Sequence, residues 1–258
     1  MSPPEGLTCK SNMVSVPVDP HIKLEKGECS ADKNIPYREA VGSLMHLAIV
    51  SRPDIMFAVS LVSRFLNCYN ESHWNAVKKI FKYLKETKNY GLCYLSSTNH
   101  EILGYCDADY ANDVDTRRSI RGYVFIKNGA AVTWSSQRQQ TVALSTTEAE
   151  FMAACAATKE AIWIKQLLSD IGEYKQQTLC LNLDNQSAIS VIRNANFHKR
   201  CKHIDIKYHF VKEKYYDKVI DLKYVCSSNQ YADIFTKALS RDKFRLLREK
   251  IGLVTLNT

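Results

Sequence analysis

The sequence lacks most of the short patterns that accompany a bound cofactor or an activated nucleophile. It has no glycine-rich phosphate loop, no serine-centred elbow and no Cys–His nucleophile pattern. No apolar stretch is long enough to span a bilayer, and the N-terminus has neither the basic flank nor the apolar run of a signal peptide. These absences predict a soluble intracellular protein, cytoplasmic or nuclear, with no membrane partner.

Cysteine is present, but no motif pairs it. The nine cysteines are scattered, their number is odd, and no Cys-x-x-Cys pair occurs. We interpret them as small buried hydrophobic residues in a reducing compartment, belonging neither to a disulfide framework nor to a zinc site.

Length and charge set broad limits. The 258 residues suit one large domain or two small ones, and 45% of them are hydrophobic, as in soluble globular proteins. A formal charge of +8 allows nucleic-acid binding without requiring it. Residues 1–35 contain prolines, charges and turn signals and are interpreted as a linker.

Residues 36–98 show helical periodicity, with three predicted helices. Ser72 is the expected cap of the third, whose predicted buried stripe is Trp74, Val77, Phe81 and Leu84. The opposite side carries lysines that form either a solvated face or a phosphate-tracking helix. These lysines are Lys78, Lys79, Lys82 and Lys85.

After His100 the pattern changes to short strands, and Asn128-Gly129 predicts a hairpin between two of them. A helix is predicted from Thr146 to about Ile171. The remaining predicted elements are a strand at Leu179–Leu183, helices at Gln186–Arg193 and Ile204–Tyr216, a strand at Ile220–Val225, and closing helices around Tyr231–Leu239 and Asp242–Lys250. This order predicts an α/β fold in which an antiparallel hairpin unit leads through a crossover to parallel strands.

Acidic residues near the ends of these elements suggest a hard-cation site. Asp107 and Asp109 share one face of an otherwise apolar strand, and a cation would offset their repulsion. Asp107 is the favoured ligand, while Asp109 is an alternative that could instead begin a turn.

The long helix offers a choice between two glutamates. Ser145-Thr146-Thr147-Glu148 matches a capping box, which gives Glu148 a structural role. Glu150 instead lies at the head of the small-residue, core-facing row, where a carboxylate is costly unless it is paired or bound to a metal. Glu150 is therefore the candidate ligand.

The last two acids are ambiguous from the residues alone. Asp184 follows an apolar strand, where open α/β sheets bind ligands, but it could equally be the N-cap of the next helix. Asp233 is expected in the first turn of a late helix capped by Asn229, where an acid is favourable in any case.

Several ordered blocks resemble one family. They include Ser51-Arg-Pro-Asp-Ile-Met-Phe-Ala58, Gly104-Tyr-Cys-Asp-Ala-Asp-Tyr-Ala111, Ala143-Leu-Ser-Thr-Thr-Glu-Ala-Glu150 and Ala232-Asp-Ile-Phe-Thr-Lys237. From about residue 12 onward the sequence is similar to the C-terminal part of Pol polyproteins from copia-type (Pseudoviridae) long-terminal-repeat retrotransposons.

The resemblance implies an RNase H-like five-stranded mixed sheet with flanking helices (residues 99–240). It would be preceded by a small helical reverse-transcriptase thumb or connection segment (36–98) and followed by a C-terminal helix and tail (241–258). It also implies a four-acid site of Asp107, Glu150, Asp184 and Asp233. Two Mg²⁺ ions, or Mn²⁺, would there support hydrolysis of the RNA strand of RNA–DNA hybrids. Contacts to 2′-hydroxyls are expected from Ser136, Gln137, Arg138 and Asn185.

Two features depart from the family. The chain has no Asp-Asp dipeptide of a polymerase palm, so the fingers and palm are expected as an upstream partner. The loop Tyr224–Gln230 also lacks the histidine that many RNases H carry there. A catalytically inert nucleic-acid-binding remnant is the alternative function, and an integrase-type enzyme is disfavoured by the fourth acid, Asp233.

Overall fold

A five-stranded mixed sheet occupies the centre of the computed structural model, which describes residues 14–27, 35–96, 101–173, 178–194 and 202–256. Its strands are β2 (Ile102–Asp109), β3 (Ile120–Lys127), β4 (Ala130–Arg138), β5 (Leu179–Leu183) and β6 (Ile220–Tyr224), and their spatial order is β4-β3-β2-β5-β6. Neighbours are antiparallel among β2, β3 and β4, and parallel from β2 to β5 and from β5 to β6. The predicted five-stranded mixed sheet is confirmed.

The hairpin between β3 and β4 turns where the sequence indicated it. Asn128 and Gly129 both have positive φ, of 53° and 82°, as a two-residue hairpin turn of this kind requires. Because β2 and β5 are parallel, their carboxyl ends meet at one edge of the sheet. That edge carries the candidate site.

One face of the sheet packs against helix α4 (Thr146–Asp170). Small residues on α4, Ala154, Ala157 and Ala161, let the helix approach Cys106 and Phe125 of the sheet. Helices α5 (Gln186–Arg193) and α6 (Lys202–Tyr216) complete this layer.

The other face is covered by the N-terminal helical segment. This segment contains α1 (Tyr37–Val50), α2 (Met56–Val62) and α3 (Glu71–Glu86), and its buried residues form one core with Tyr105 and Val124 of the sheet. The Trp134 indole donates to the Ala48 carbonyl oxygen at 2.7 Å, which fixes the end of α1 against β4. The segment predicted as thumb or connection is therefore continuous with the sheet's core.

The C-terminus closes on the same segment. Strands β1 (Tyr90–Leu92) and β7 (Leu253–Thr255) pair antiparallel, and helix α7 (Arg241–Lys250) buries Phe244 and Leu247 in the shared core. The sequence did not predict this two-stranded sheet. The C-terminal helix and tail are thus part of the structural unit.

A buried polar network joins these parts. The Arg52 guanidinium forms a two-bond pair with Asp54, at 2.9 and 2.8 Å, and also donates to Thr87. Tyr83 donates to Asp54, and Arg248 of α7 donates to the Tyr83 hydroxyl at 3.1 Å. Arg52, Asp54, Tyr83 and Arg248 are all less than a tenth exposed.

Several local predictions were wrong. Asn70, not Ser72, caps α3: its side chain accepts from Ser72 N, and His73 completes a capping box. The buried stripe of α3 is His73, Val77, Ile80 and Tyr83, while Phe81 is exposed. The predicted helix at Tyr231–Leu239 is a shorter 3₁₀ helix, Tyr231–Phe235.

The cysteine prediction holds in part. Cys106 and Cys155 are buried free thiols, but Cys68 is disulfide-bonded and Cys226 is exposed. In the part of residues 1–35 that is described, the chain has no helix or strand, yet Val16 and Leu24 pack on the core and Lys26 N donates to Asp115. None of the described helices has the length and apolar character needed to cross a membrane.

Candidate metal centre

Three aspartates come together at the shared carboxyl edge of β2 and β5. One carboxylate oxygen each from Asp107, Asp184 and Asp233 lies within 4.8 Å of the others. Asp107 comes from β2, Asp184 directly follows β5, and Asp233 lies in the 3₁₀ helix. Acids far apart in the sequence are thus gathered by strand order.

Glu150, in the first turns of α4, lies beside Asp107 and Asp184 but is not one of the three clustered carboxylates. Burial, together with the neighbouring Asp107 and Asp184 carboxylates, raises its pKa well above the usual value. Its Oε2 atom is buried and has no hydrogen-bond partner among the described residues. Glu148 instead accepts from Leu144 N, and Ser145 caps the helix by accepting from Glu148 N. Glu148 thus has a structural contact at the start of the helix, as predicted, although its partner is Leu144 N and not the Ser145 N of a capping box. Glu150 is left as the candidate ligand of this helix.

Asp107 is held firmly in place. It is 2% exposed, the Thr236 hydroxyl donates to its Oδ2, and Lys237 Nζ lies 3.6 Å from that oxygen. Burial raises its pKa to about 6, against the opposing effect of Lys237. A buried carboxylate of this kind favours a bound cation.

The alternative Asp109 has another role. It is only partly buried and accepts from the Asn112 side-chain amide in the turn after β2. It is not a member of the three-aspartate cluster. The structure therefore supports Asp107 at this position.

Asp184 is free of the capping role. Asn185 is the N-cap of α5, since its side chain accepts from Ala188 N at 2.9 Å. Asp184 is partly exposed and accepts from the Ser227 hydroxyl at 2.8 Å. Its carboxylate is therefore available at the open side of the cluster.

Asp233 is fully buried and carries two ammonium partners. Lys237 Nζ lies 2.9 Å from its Oδ1, and Lys243 of α7 pairs with its Oδ2. The 3₁₀ helix is capped by Gln230, not Asn229, and the Gln230 side chain also donates to the Cys106 carbonyl oxygen. This bond ties Asp233 to strand β2.

Among the described residues, four side chains that the sequence did not single out touch the carboxylates: Ser227, Thr236, Lys237 and Lys243. The Asp233–Lys237 spacing, one helical turn, was the available signal. Lys243 had none, because it reaches the site from a separate helix. Asp107 and Asp233 raise the Lys237 pKa above its usual value although burial alone would lower it.

The residues predicted to contact nucleic acid differ in their exposure and in the contacts that they already make. Ser136 is 2% exposed, so its hydroxyl is not presented to a polynucleotide, which corrects that assignment. Gln137 is exposed and accepts from Arg121, whereas Arg138 is paired with Asp113. Asn185 is partly exposed but serves as the cap of α5.

The lysine face of α3 is largely free. Lys78, Lys82 and Lys85 are exposed, and Lys79 is partly buried with its Nζ 3.1 Å from Asp19. Exposed Phe81 lies among them. Three lysines of the predicted four are thus open to a polyanion.

Gly122 of β3 pairs with Asp107 of β2 in the sheet. The 3₁₀ helix can lie over the sheet at this position because Gly122 has no side chain. A Cβ atom on Gly122 would lie 2.7 Å from Phe235 Cβ and 2.9 Å from Thr236 Cγ2. Gly122→Ala is expected to destabilise the fold by about 1–3 kcal/mol and to displace Thr236 and Asp233. Urea unfolding with and without Mg²⁺ measures both effects.

Gly42 supplies a matched control. It lies in α1, and a methyl group at this position would have no neighbouring atom within 4 Å. Gly42→Ala should therefore be neutral or stabilising by up to about 1 kcal/mol. Equal behaviour of the two variants would contradict the close approach at Gly122.

The donor set suits a hard divalent cation. Carboxylate oxygens at this spacing are typical Mg²⁺ or Mn²⁺ ligands, and the buried, unpartnered Glu150 Oε2 is an acceptor that a cation would satisfy. The residues present therefore fit the implied metal.

No family model matches the chain. It is 40% identical over 247 residues to the retrovirus-related Pol polyprotein from transposon TNT 1-94 of Nicotiana tabacum, covering 93% of this chain and 18% of that protein. It is 47% identical over 132 residues to secreted RxLR effector protein 161 of Plasmopara viticola, covering 51% of this chain and 93% of that one. A solved RNase H1, LC11, isolated from compost matches at 14% identity and a TM-score of 0.42, over 54% of this chain and 94% of that chain.

Proposed function

Because this chain belongs to the retrovirus-related Pol polyproteins of copia-type transposons, we propose that it is their ribonuclease H part, which hydrolyses the RNA strand of RNA–DNA hybrids. The chain spans less than a fifth of the length of the Pol polyproteins that it matches. The polymerase fingers and palm would be its upstream partner. The observation that supports the proposal most strongly is the convergence of Asp107, Asp184 and Asp233, with Glu150 beside them.

The protein's own part in the reaction is to hold four carboxylates in fixed positions. Divalent cations bound there would supply Lewis-acid stabilisation of the phosphate and make a water molecule more acidic. Thr236 orients Asp107, Ser227 orients Asp184, and Lys243 together with Lys237 orients Asp233. Buried Asp107 and Asp233 lie away from solvent, while partly exposed Asp184 marks the side open to a phosphodiester.

Strand selection would come from contacts across the minor groove of the hybrid. Gln137 and Asn185 have exposed or partly exposed polar side chains, so they support 2′-hydroxyl recognition better than Ser136 does. Arg138 would first have to leave Asp113.

The test is a strand-labelled cleavage assay. Purified protein with Mg²⁺ should cut the RNA strand of an RNA–DNA hybrid, and EDTA should abolish the cutting. Neither the DNA strand nor single-stranded RNA of the same sequence should be cut. A folded protein that binds the hybrid without cutting it, in Mg²⁺ or in Mn²⁺, would refute the proposal in favour of an inert binding module.

The α3 lysine face would contribute to affinity by neutralising phosphates. Replacing Lys78, Lys82 and Lys85 with glutamate should flatten the dependence of log Kd on log salt, by about 0.7–0.9 for each phosphate that is no longer neutralised. Lys79→Met is the control, because Lys79 is already paired with Asp19. An unchanged slope in the triple variant would mean that the face is only solvated.

A further inference from the structure

Lys237 fills a place in the carboxylate cluster where a cation would bridge two ligands. Its Nζ lies 2.9 Å from Asp233 Oδ1 and 3.6 Å from Asp107 Oδ2. The two carboxylates belong to the cluster whose oxygens lie within 4.8 Å of one another. An ammonium group therefore already neutralises this side of the site.

Among the described residues, the other side of the site has no such group. Among the ion pairs of the described residues, none includes Glu150 or Asp184. Within the part of the chain that the structure describes, Glu150 Oε2 is buried without a hydrogen-bond partner, and the donor to Asp184 is the neutral Ser227 hydroxyl. The cluster is thus electrostatically uneven, with positive charge concentrated around Asp233.

We propose that Lys237 is a resident cation of this site, and that a divalent cation reaches the Asp107–Asp233 side only by displacing its ammonium group. The first divalent cation would bind on the Glu150–Asp184 side, and the second would bind more weakly because of this competition. The proposal rests on the proposed function, in which the four carboxylates are metal ligands.

The surroundings of Lys237 permit such a displacement. Its side chain is 33% exposed, so the ammonium group has a route to solvent. Asp233 would not lose all positive charge, because Lys243 holds its other oxygen and also donates to the Ser227 carbonyl oxygen. Of the two lysines, Lys237 is the one that also approaches Asp107.

This difference provides a matched pair of variants. Lys237→Met and Lys243→Met each remove one charge beside Asp233, but only Lys237→Met vacates the position between Asp107 and Asp233. Calorimetric titration with Mg²⁺ should show the weaker binding step tightened by about tenfold or more in Lys237→Met. Lys243→Met should change it much less, and Lys237→Arg should resemble the wild type.

Thermal unfolding gives a readout that is independent of activity. Lys237→Met should be less stable than the wild type without divalent cation and should gain more stability on adding Mg²⁺. If both methionine variants tighten binding equally, only net charge matters and the resident-cation proposal fails. It fails also if Lys237→Met leaves Mg²⁺ binding unchanged.

Two further measurements cover the remaining outcomes. If Lys237→Met does not fold, lysine Nζ NMR of the wild type tests the proposal. On addition of Mg²⁺, the Lys237 ammonium signal should change to that of a solvent-exchanging group, while the Lys243 signal is retained. A Lys237 signal that Mg²⁺ does not perturb overturns the proposal. Asp107→Asn separates the two hypotheses. Absence of Mg²⁺ binding in the wild type would refute the metal site itself, whereas binding that Asp107→Asn abolishes but Lys237→Met does not alter would refute the role of Lys237 alone.

Discussion

Asp184→Asn is expected to reduce RNA-strand cleavage by at least about a thousandfold, corresponding to several kcal/mol of lost transition-state stabilisation. Asparagine has nearly the same shape and can still accept the Ser227 hydrogen bond, so the fold should be unchanged. The loss follows from removing one negative charge at the open side of the cluster. Hybrid affinity should stay the same or increase, because a charge that repels phosphate is gone.

Asp221→Asn is the matched control. Asp221 is an exposed aspartate on the neighbouring strand β6, outside the cluster, so the same substitution there should leave cleavage at the wild-type rate. Single-turnover rates and filter-binding affinities should be measured together. Undiminished cleavage by Asp184→Asn would contradict the site assignment.

Asp54→Ala is expected to cost about 3–5 kcal/mol of unfolding free energy. It leaves the Arg52 guanidinium buried without its carboxylate, and removing one partner of a buried ion pair is typically costly to this degree. The Tyr83 hydroxyl loses its acceptor as well, which weakens the connection to Arg248 of α7. The helical segment and the C-terminal helix should therefore loosen together.

Urea unfolding monitored by tryptophan fluorescence measures this effect. Glu249→Ala breaks the exposed Arg245–Glu249 pair and should change stability by less than about 1 kcal/mol. A cost for Asp54→Ala as small as that for Glu249→Ala would show that the buried network does not stabilise the junction.

Local chemistry in the sequence was enough to choose between Glu148 and Glu150, because a cap and a core-facing row have different spacings along one helix. It could not decide the role of Asp184, since both Asp184 and Asn185 are good capping residues and only the observed bond to Ala188 separates them. The order of the strands along the chain and the β3–β4 hairpin also followed from the sequence, because strand periodicity and the hairpin turn are short-range signals.

Long-range contacts were beyond the sequence. The partner of β1 lies about 160 residues away in β7, and strands of three residues carry little periodicity. Lys243 belongs to an amphipathic helix, and its sequence pattern does not indicate which part of the protein the helix packs against. The exposure of Phe81 depends on which side of α3 packs against α1 and α2, and the predicted stripe placed Phe81 on the buried side.

The pairing of β1 with β7 also has a consequence for synthesis on the ribosome. At about 5–20 residues per second, roughly 10–30 s pass between translation of α3 and translation of β7. During that interval the core residues of α1–α3 lack Phe244, Leu247 and Ile251, which complete their cluster. Hydrophobic collapse takes less than about a millisecond, which is much shorter than this interval. We therefore expect the nascent helical segment to remain incompletely packed, with apolar surface that chaperones can bind, until β7 is synthesised.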